Sequence, residues 1–271
     1  PKNAGDTLPE TETGIALALA ERLDTLVGIF GIGQPPTGSK DPFALRRHAL
    51  GMIRMLIEEE LPLSLDVLLQ QAKEVFGDKL MTDTSKPADI TDVPSPMHFI
   101  YDRLAGSLRE QGYEVQEIEA VLSLLPDKLF EIPLRLAAVR AFSELSEAAS
   151  LAAANKRVHN ILEKGMKGKT SVDRNQIGTE QLDIALLKEP AEITLYETLS
   201  DVKSKADAAF ESGHYNESLQ ALAALKNPVD TFFDNVMVFT DDDTLRTNRL
   251  CLLQFMHQTM NRIADLSKLA T

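Results

Sequence analysis

The sequence has no tryptophan, and aromatic residues make up only 6% of its 271 positions. Sheet cores draw on aromatic and β-branched side chains set at alternating positions. No stretch here alternates over a strand's length; Val236–Phe239 comes nearest, and its helical surroundings override it. Cysteine is almost missing as well. With Cys251 alone there is no intrachain disulfide and no Cys-based zinc site, and between Leu250 and Leu252 it reads as an inert core thiol. No run of 18 apolar residues occurs, and the first residues lack a basic-then-apolar leader pattern, so the chain is expected to be cytoplasmic with no membrane contact. Positive charge is also scarce. A formal charge of −13 argues against a general polyanion binder, because non-specific nucleic-acid affinity needs clustered Lys and Arg. It leaves local recognition open, since single-stranded RNA loops are read by shape, stacking and hydrogen bonds.

What is present is apolar material suited to helices. Hydrophobic residues reach 44%, most of them Leu, Ala, Ile and Val. The expected fold is all-α, a multi-helix bundle with ample length for a true core. Residues 10–30 form a wide apolar helical stripe that Gly28, Gly31 and Gly33 and then Pro35 and Pro36 bring to an end. Asp41-Pro42 predicts an N-cap followed by proline in the first helical turn, opening a helix through Ile57. Pro62 and Ser64 open another, stopped by Gly77. Residues 81–96, small, polar and carrying three prolines, predict an exposed loop. Helices follow near 97–111, 114–125, 128–145 and 146–163, and after a weak Gly-containing stretch at 165–178, near 189–211, 214–226, 228–239 and 242–267. The chain starts at Pro1 rather than Met, as an excised piece of a larger protein would.

Few of these segments carry chemistry. Gly28-Ile-Phe-Gly-Ile-Gly has no strand before it and prolines after it, so it is a helix-ending turn rather than a phosphate loop. His48, His98, His159, His214 and His257 are scattered and form no metal-binding pair. No nucleophile elbow occurs, and Glu58–Glu60 and Asp241–Asp243 look like solvated helix ends. No catalytic residue and no metal site are predicted. The pattern around Ala206, Phe210, Gly213, Tyr215, Ala221 and Ala224 suits a helical hairpin, for a repeat protein needs several such units and only one is present.

The exception lies between Lys156 and Arg174, where six basic residues (Lys156, Arg157, Lys164, Lys167, Lys169, Arg174) meet two acidic ones (Glu163, Asp173). Basic runs are usually solvated loops, yet a positive island on an acidic chain orients a polyanion. Asn160 lies a helical turn from Lys156 and Arg157, so amide, guanidinium and ammonium share a face suited to base edges and phosphates.

Longer segments resemble one family. Asp24-Thr-Leu-Val-Gly-Ile-Phe-Gly-Ile-Gly33, Thr37-Gly-Ser-Lys-Asp-Pro-Phe-Ala-Leu-Arg-Arg47, Asp102-Arg-Leu104, Ala154-Asn-Lys-Arg-Val-His-Asn-Ile-Leu162, the Pro228–Leu253 hairpin and Ala264-Asp-Leu-Ser267 are similar to the β subunit of bacterial glycyl-tRNA synthetase. The resemblance implies residues 1–35 as the end of a degenerate HD-like domain, 36–150 as a helical body, and 151–271 as a helical anticodon-binding domain like that of arginyl- and cysteinyl-tRNA synthetases. It implies tRNA-Gly and the synthetase α subunit as partners in an α2β2 assembly. ATP and Mg would be used by the α subunit, with no cofactor in this chain. It also implies Lys156, Arg157, Asn160, Arg246 and Arg249 as tRNA contacts, although Arg246 and Arg249 equally suit pairing with Asp241–Asp243. Asp24 sits where HD enzymes place a late metal ligand, and without the other ligands a structural role is expected for it. The alternatives are a helical scaffold that docks a protein partner, and an HD phosphohydrolase remnant.

Overall fold

The computed structural model describes residues 7–77, 95–166 and 177–270. Among these residues the regular structure is helical, with two isolated β-bridges and no strand. None of the described helices is long and apolar enough to cross a membrane. The chain forms two compact units, residues 1–114 with 125–133, and residues 115–124 with 134–271.

The first unit holds α1 (Glu12–Gly31), α2 (Leu45–Glu58), α3 (Leu65–Phe76) and α4 (Pro96–Glu110). Helix α1 packs on α2 and α3, and α2 packs on α4. Leu26, Met52, Leu56, Leu65, Ile100 and Leu104 make the dry centre. The Tyr101 hydroxyl donates to the carbonyl of Pro126 at 2.7 Å, so the one polar tip in that layer is satisfied. Ser64 caps α3 by accepting from the N–H of Val67 at 3.1 Å, and Gly77 ends it at φ +52°, a conformation that costs a side-chain-bearing residue dearly.

Asp41 is not the N-cap residue, a position that falls to Ala44, yet its side chain still serves the start of the helix from three residues upstream. Its two carboxylate oxygens accept from the N–H groups of Leu45 (2.8 Å) and Arg46 (3.0 Å), and helix α2 begins at Leu45, beyond a turn that takes Ala44 to φ 55°. Pro42 therefore lies in the turn rather than in the first helical position. One carboxylate spanning two free N–H groups offsets the left-handed alanine. The predicted loop at 81–96 lies outside the described residues, except for Ser95, which caps α4, and Pro96, its first residue.

The second unit holds α5 (Val115–Leu122), α6 (Ile132–Ser143) from residue 134 onward, α7 (Ala148–Met166), α8 (Pro190–Glu211), α9 (Tyr215–Ala221), α10 (Lys226–Asn235) and α11 (Asp243–Met260). Helices α7, α8, α10 and α11 enclose Val158, Leu195, Leu199, Phe232, Leu250, Cys251 and Met256. A 3-10 turn at Leu266–Leu269 packs onto α7 and α5. Helices α8 and α9 make the expected hairpin: Gly213 turns at φ +76°, the rings of Phe210 and Tyr215 lie 5.2 Å apart, and Ser218 Oγ donates to the carbonyl of Ala206 at 2.8 Å.

Residues 236–239 depart from the helical expectation. Helix α10 stops at Asn235, Val236 is extended, and Val236 and Val238 are buried while Met237 and Phe239 are exposed. The alternation in the sequence is thus real. It belongs to an extended connector between α10 and α11 rather than to a sheet, and it leaves Met237 exposed.

Candidate nucleic-acid interface

Helix α7 is rich in alanine, the best helix former, and its two sides differ sharply. Leu151, Ala154, Asn155, Val158 and Leu162 are buried, whereas Lys156, Arg157, His159, Asn160 and Lys164 are exposed. At 3.6 residues per turn the exposed set forms one stripe centred on Asn160, with Lys156 one turn before it and Lys164 one turn after. The structure therefore brings Lys156, Arg157 and Asn160 together. Lys156 Nζ lies 3.4 Å from the carbonyl oxygen of Ala270, a bond at the surface. The Arg157 guanidinium lies over the ring of Phe233, 4.0 Å from its centroid. Of the basic island, Lys167, Lys169 and Arg174 lie outside the described residues, as does Asp173.

Arg246 and Arg249 are placed differently. Arg246 is buried, donates to the carbonyl of Thr240 at 2.9 Å and pairs with Asp243 at 2.6 Å. Arg249 Nε donates to Glu192 Oε1 at 2.5 Å, and its Nη1 donates to the carbonyl of Met237 at 2.8 Å. Both guanidinium groups point their donors into the protein. Arg249 ties α11 to α8 and to the 236–239 connector, Arg246 ties the start of α11 to Thr240, and neither offers much to a ligand.

Sequence reasoning missed Asn155, which the motif Ala154-Asn-Lys-Arg157 hides among surface residues. It is fully buried and forms a reciprocal amide pair with Asn261, Nδ2 to Oδ1 at 2.7 Å in one direction and 3.0 Å in the other. Asn261 Oδ1 also accepts from the N–H of Leu266 at 2.9 Å. The pair thus pins the closing 3-10 turn against α7 and fixes the pitch at which Lys156 and Asn160 face outward. Two polar residues far apart in the chain carry no periodic signal that would have joined them.

His159 faces His257 of α11 across 6.1 Å. Burial pushes the His257 imidazole below its ordinary pKa; Asp265 pulls it back up and His159 adds to the lowering. The unfolded chain therefore takes up this proton first. The contribution of His257 to stability is complete above about pH 6.5 and is lost as pH falls through that value toward the lower folded pKa. His48 in the first unit, lowered mainly by its own burial, has the same sign. We expect the urea midpoint to fall between pH 7.5 and 5.5, and His257→Gln to flatten that fall for the second unit.

Among the described residues no group of three or more His, Cys, Asp or Glu side chains could hold a metal. Asp24 is exposed on α1. It lines an apolar groove of about 600 Å³ between α1 and α3, with Leu17 and Val75 at its rim. That groove presents no convergent polar set, so the stripe on α7 is the better candidate site.

Two family models match separate stretches of the chain. Residues 1–123 match a family model described as glycyl-tRNA synthetase beta subunit, and residues 151–270 match the DALR anticodon binding domain. The chain is 57% identical over 271 residues to the glycine–tRNA ligase beta subunit of Dechloromonas aromatica. It is 53% identical over 276 residues to that of Nitrosomonas eutropha and 55% identical over 270 residues to that of a Janthinobacterium species. Each match takes in 100% of this chain but only 36%, 37% and 36% of the respective relative, so the chain spans little more than a third of their length.

Proposed function

The chain belongs to the glycyl-tRNA synthetase β-subunit family, and from that premise we propose that it supplies tRNA binding to a glycine–tRNA ligase, with α7 facing the anticodon arm of tRNA-Gly. The carrying observation is the exposed stripe of Lys156, Arg157 and Asn160 inside the region that matches the anticodon-binding model. Ammonium and guanidinium groups neutralise phosphates and fix the register of the loop, and the Asn160 amide offers both a donor and an acceptor to a base edge. The strongly acidic remainder of the chain repels RNA elsewhere, which confines binding to this face.

In this reading the chain itself catalyses nothing. Adenylate formation and transfer, with ATP and Mg, fall to the α subunit, which the β chain joins in an α2β2 assembly. Arg246 and Arg249 act on RNA only indirectly, Arg249 by holding the connector at Met237 and Arg246 by holding Thr240 just after it.

The test is a titration of labelled tRNA-Gly and an anticodon-substituted variant at two salt concentrations. Lys156→Ala with Arg157→Ala should weaken binding at least about tenfold at moderate salt and lower the slope of log affinity against log salt by at least about 1, one for each phosphate no longer neutralised. Unchanged affinity in the double variant, together with indifference to the anticodon, rules the assignment out.

A further inference from the structure

The 236–239 connector and the end of α10 set aromatic rings beside the cations of α7. Phe233 is half-buried under the Arg157 guanidinium, and Lys164 Nζ lies over the ring of Phe239, 5.2 Å from its centroid. Phe239 is 36% exposed and Met237, next to it but one, is 73% exposed. A protein as poor in aromatics as this one leaves these two rings at its surface, each paired with a cation. Solubility alone does not favour that arrangement.

We propose that Phe233 and Phe239, with Arg157 and Lys164, form a stacking platform for unpaired bases of the RNA loop whose phosphates contact Lys156. This rests on the tRNA-binding reading above and adds to it the residues that take the bases. Every nucleobase has a π face, and both aromatic rings and the planar guanidinium stack on it. Arg157 already sits over the Phe233 ring, 4.0 Å from its centroid, so a base that stacks on the guanidinium meets a side chain held in place. The local charge selects bases over phosphates. Asp234 is exposed beside Phe233, and Asp241 and Asp242 follow Phe239 closely, so a phosphate is repelled where an uncharged base face is not. Lys156, at the other side of the stripe, has no such neighbours in sequence and takes the backbone.

The experiment uses the 271-residue chain with a tRNA-Gly transcript and with its anticodon hairpin carrying 2-aminopurine at single loop positions. Wild-type protein should quench at least one of those labels on binding. Phe239→Leu keeps the apolar volume and the fold but removes the π face. It should weaken transcript binding by about 5- to 150-fold, the equivalent of about 1–3 kcal/mol for one stacked base, and abolish the quenching without changing the salt slope. Phe239→Tyr should restore both. If Phe239→Leu binds like wild type while Lys156→Ala with Arg157→Ala binds weakly, the platform is wrong and the tRNA-binding reading stands. If the double variant binds like wild type, that reading falls and takes the platform with it. If Phe239→Leu instead loses association with purified synthetase α subunit and keeps its RNA affinity, the patch is a protein contact and the proposal is overturned.

Discussion

Arg249→Ala is expected to destabilise the second unit by about 3–5 kcal/mol, because it strands a buried carboxylate. Glu192 is 1% exposed. Its Oε2 accepts from the N–H groups of Lys188 and Glu189, both at 3.0 Å, which caps the start of α8. Its Oε1 is held by Arg249 Nε from α11 at 2.5 Å. Removing the guanidinium leaves a charge with no counter-charge in a nearly dry site and also frees the carbonyl of Met237. A chemical-denaturation series should show the large loss for Arg249→Ala. It should also show a smaller loss for Arg249→Met combined with Glu192→Gln than the two single effects summed, since replacing both partners removes the stranded charge. Single and double variants that simply add would mean that the pair is not coupled. The same experiment separates two roles for Arg249. A direct RNA contact would reduce tRNA affinity at unchanged stability, whereas an internal clamp loses both together.

The second large effect sets two adjacent phenylalanines apart. Phe232 is fully buried within the second unit, and Phe232→Ala should cost about 3–5 kcal/mol by opening a cavity that its close-packed neighbours cannot fill. Phe233, the next residue on α10, is half-buried against Arg157, its ring 5.5 Å from that of Phe232 in an edge-on arrangement. Phe233→Ala removes that edge-on ring and the partner of the Arg157 cation, and should cost no more than about 2 kcal/mol. Calorimetric or urea unfolding of the two variants reads the contrast directly. Equal losses would show that Phe233 is core and unavailable for stacking on RNA.

The helices themselves were legible in the residues. The spacing of Leu19, Leu23, Leu26 and Phe30, the Ser64 cap and the Gly77 stop fall where the helices begin and end. These signals are local, set by side chains within a turn or two of one another, which is why a single sequence carries them. The stripe on α7 was legible for the same reason, since helical period alone places Lys156, Arg157 and Asn160 together. The connector at 236–239 was not. Four residues of alternation are too few to outweigh helical flanks, and what ends α10 is the burial of Val236 and Val238 against other elements. Arg246 pairs with Asp243, as its spacing allowed, but the partner of Arg249 was not legible. Arginines near the surface of a helix look alike in sequence whether they face solvent or reach, as Arg249 does, a carboxylate 57 residues away.

By itself, then, the sequence determined that the chain is all-helical, where most helices lie, and which side of α7 is basic, because helix propensity, capping and period act over a few residues. Tertiary structure decided the rest: which arginines are consumed by Glu192, Asp243 and backbone carbonyls, how Asn155 and Asn261 lock the closing turn onto α7, and that Phe233 and Phe239 meet Arg157 and Lys164 at the surface. Those pairings join residues far apart in the chain, and their energies come from burial and desolvation, which exist only once the helices have packed.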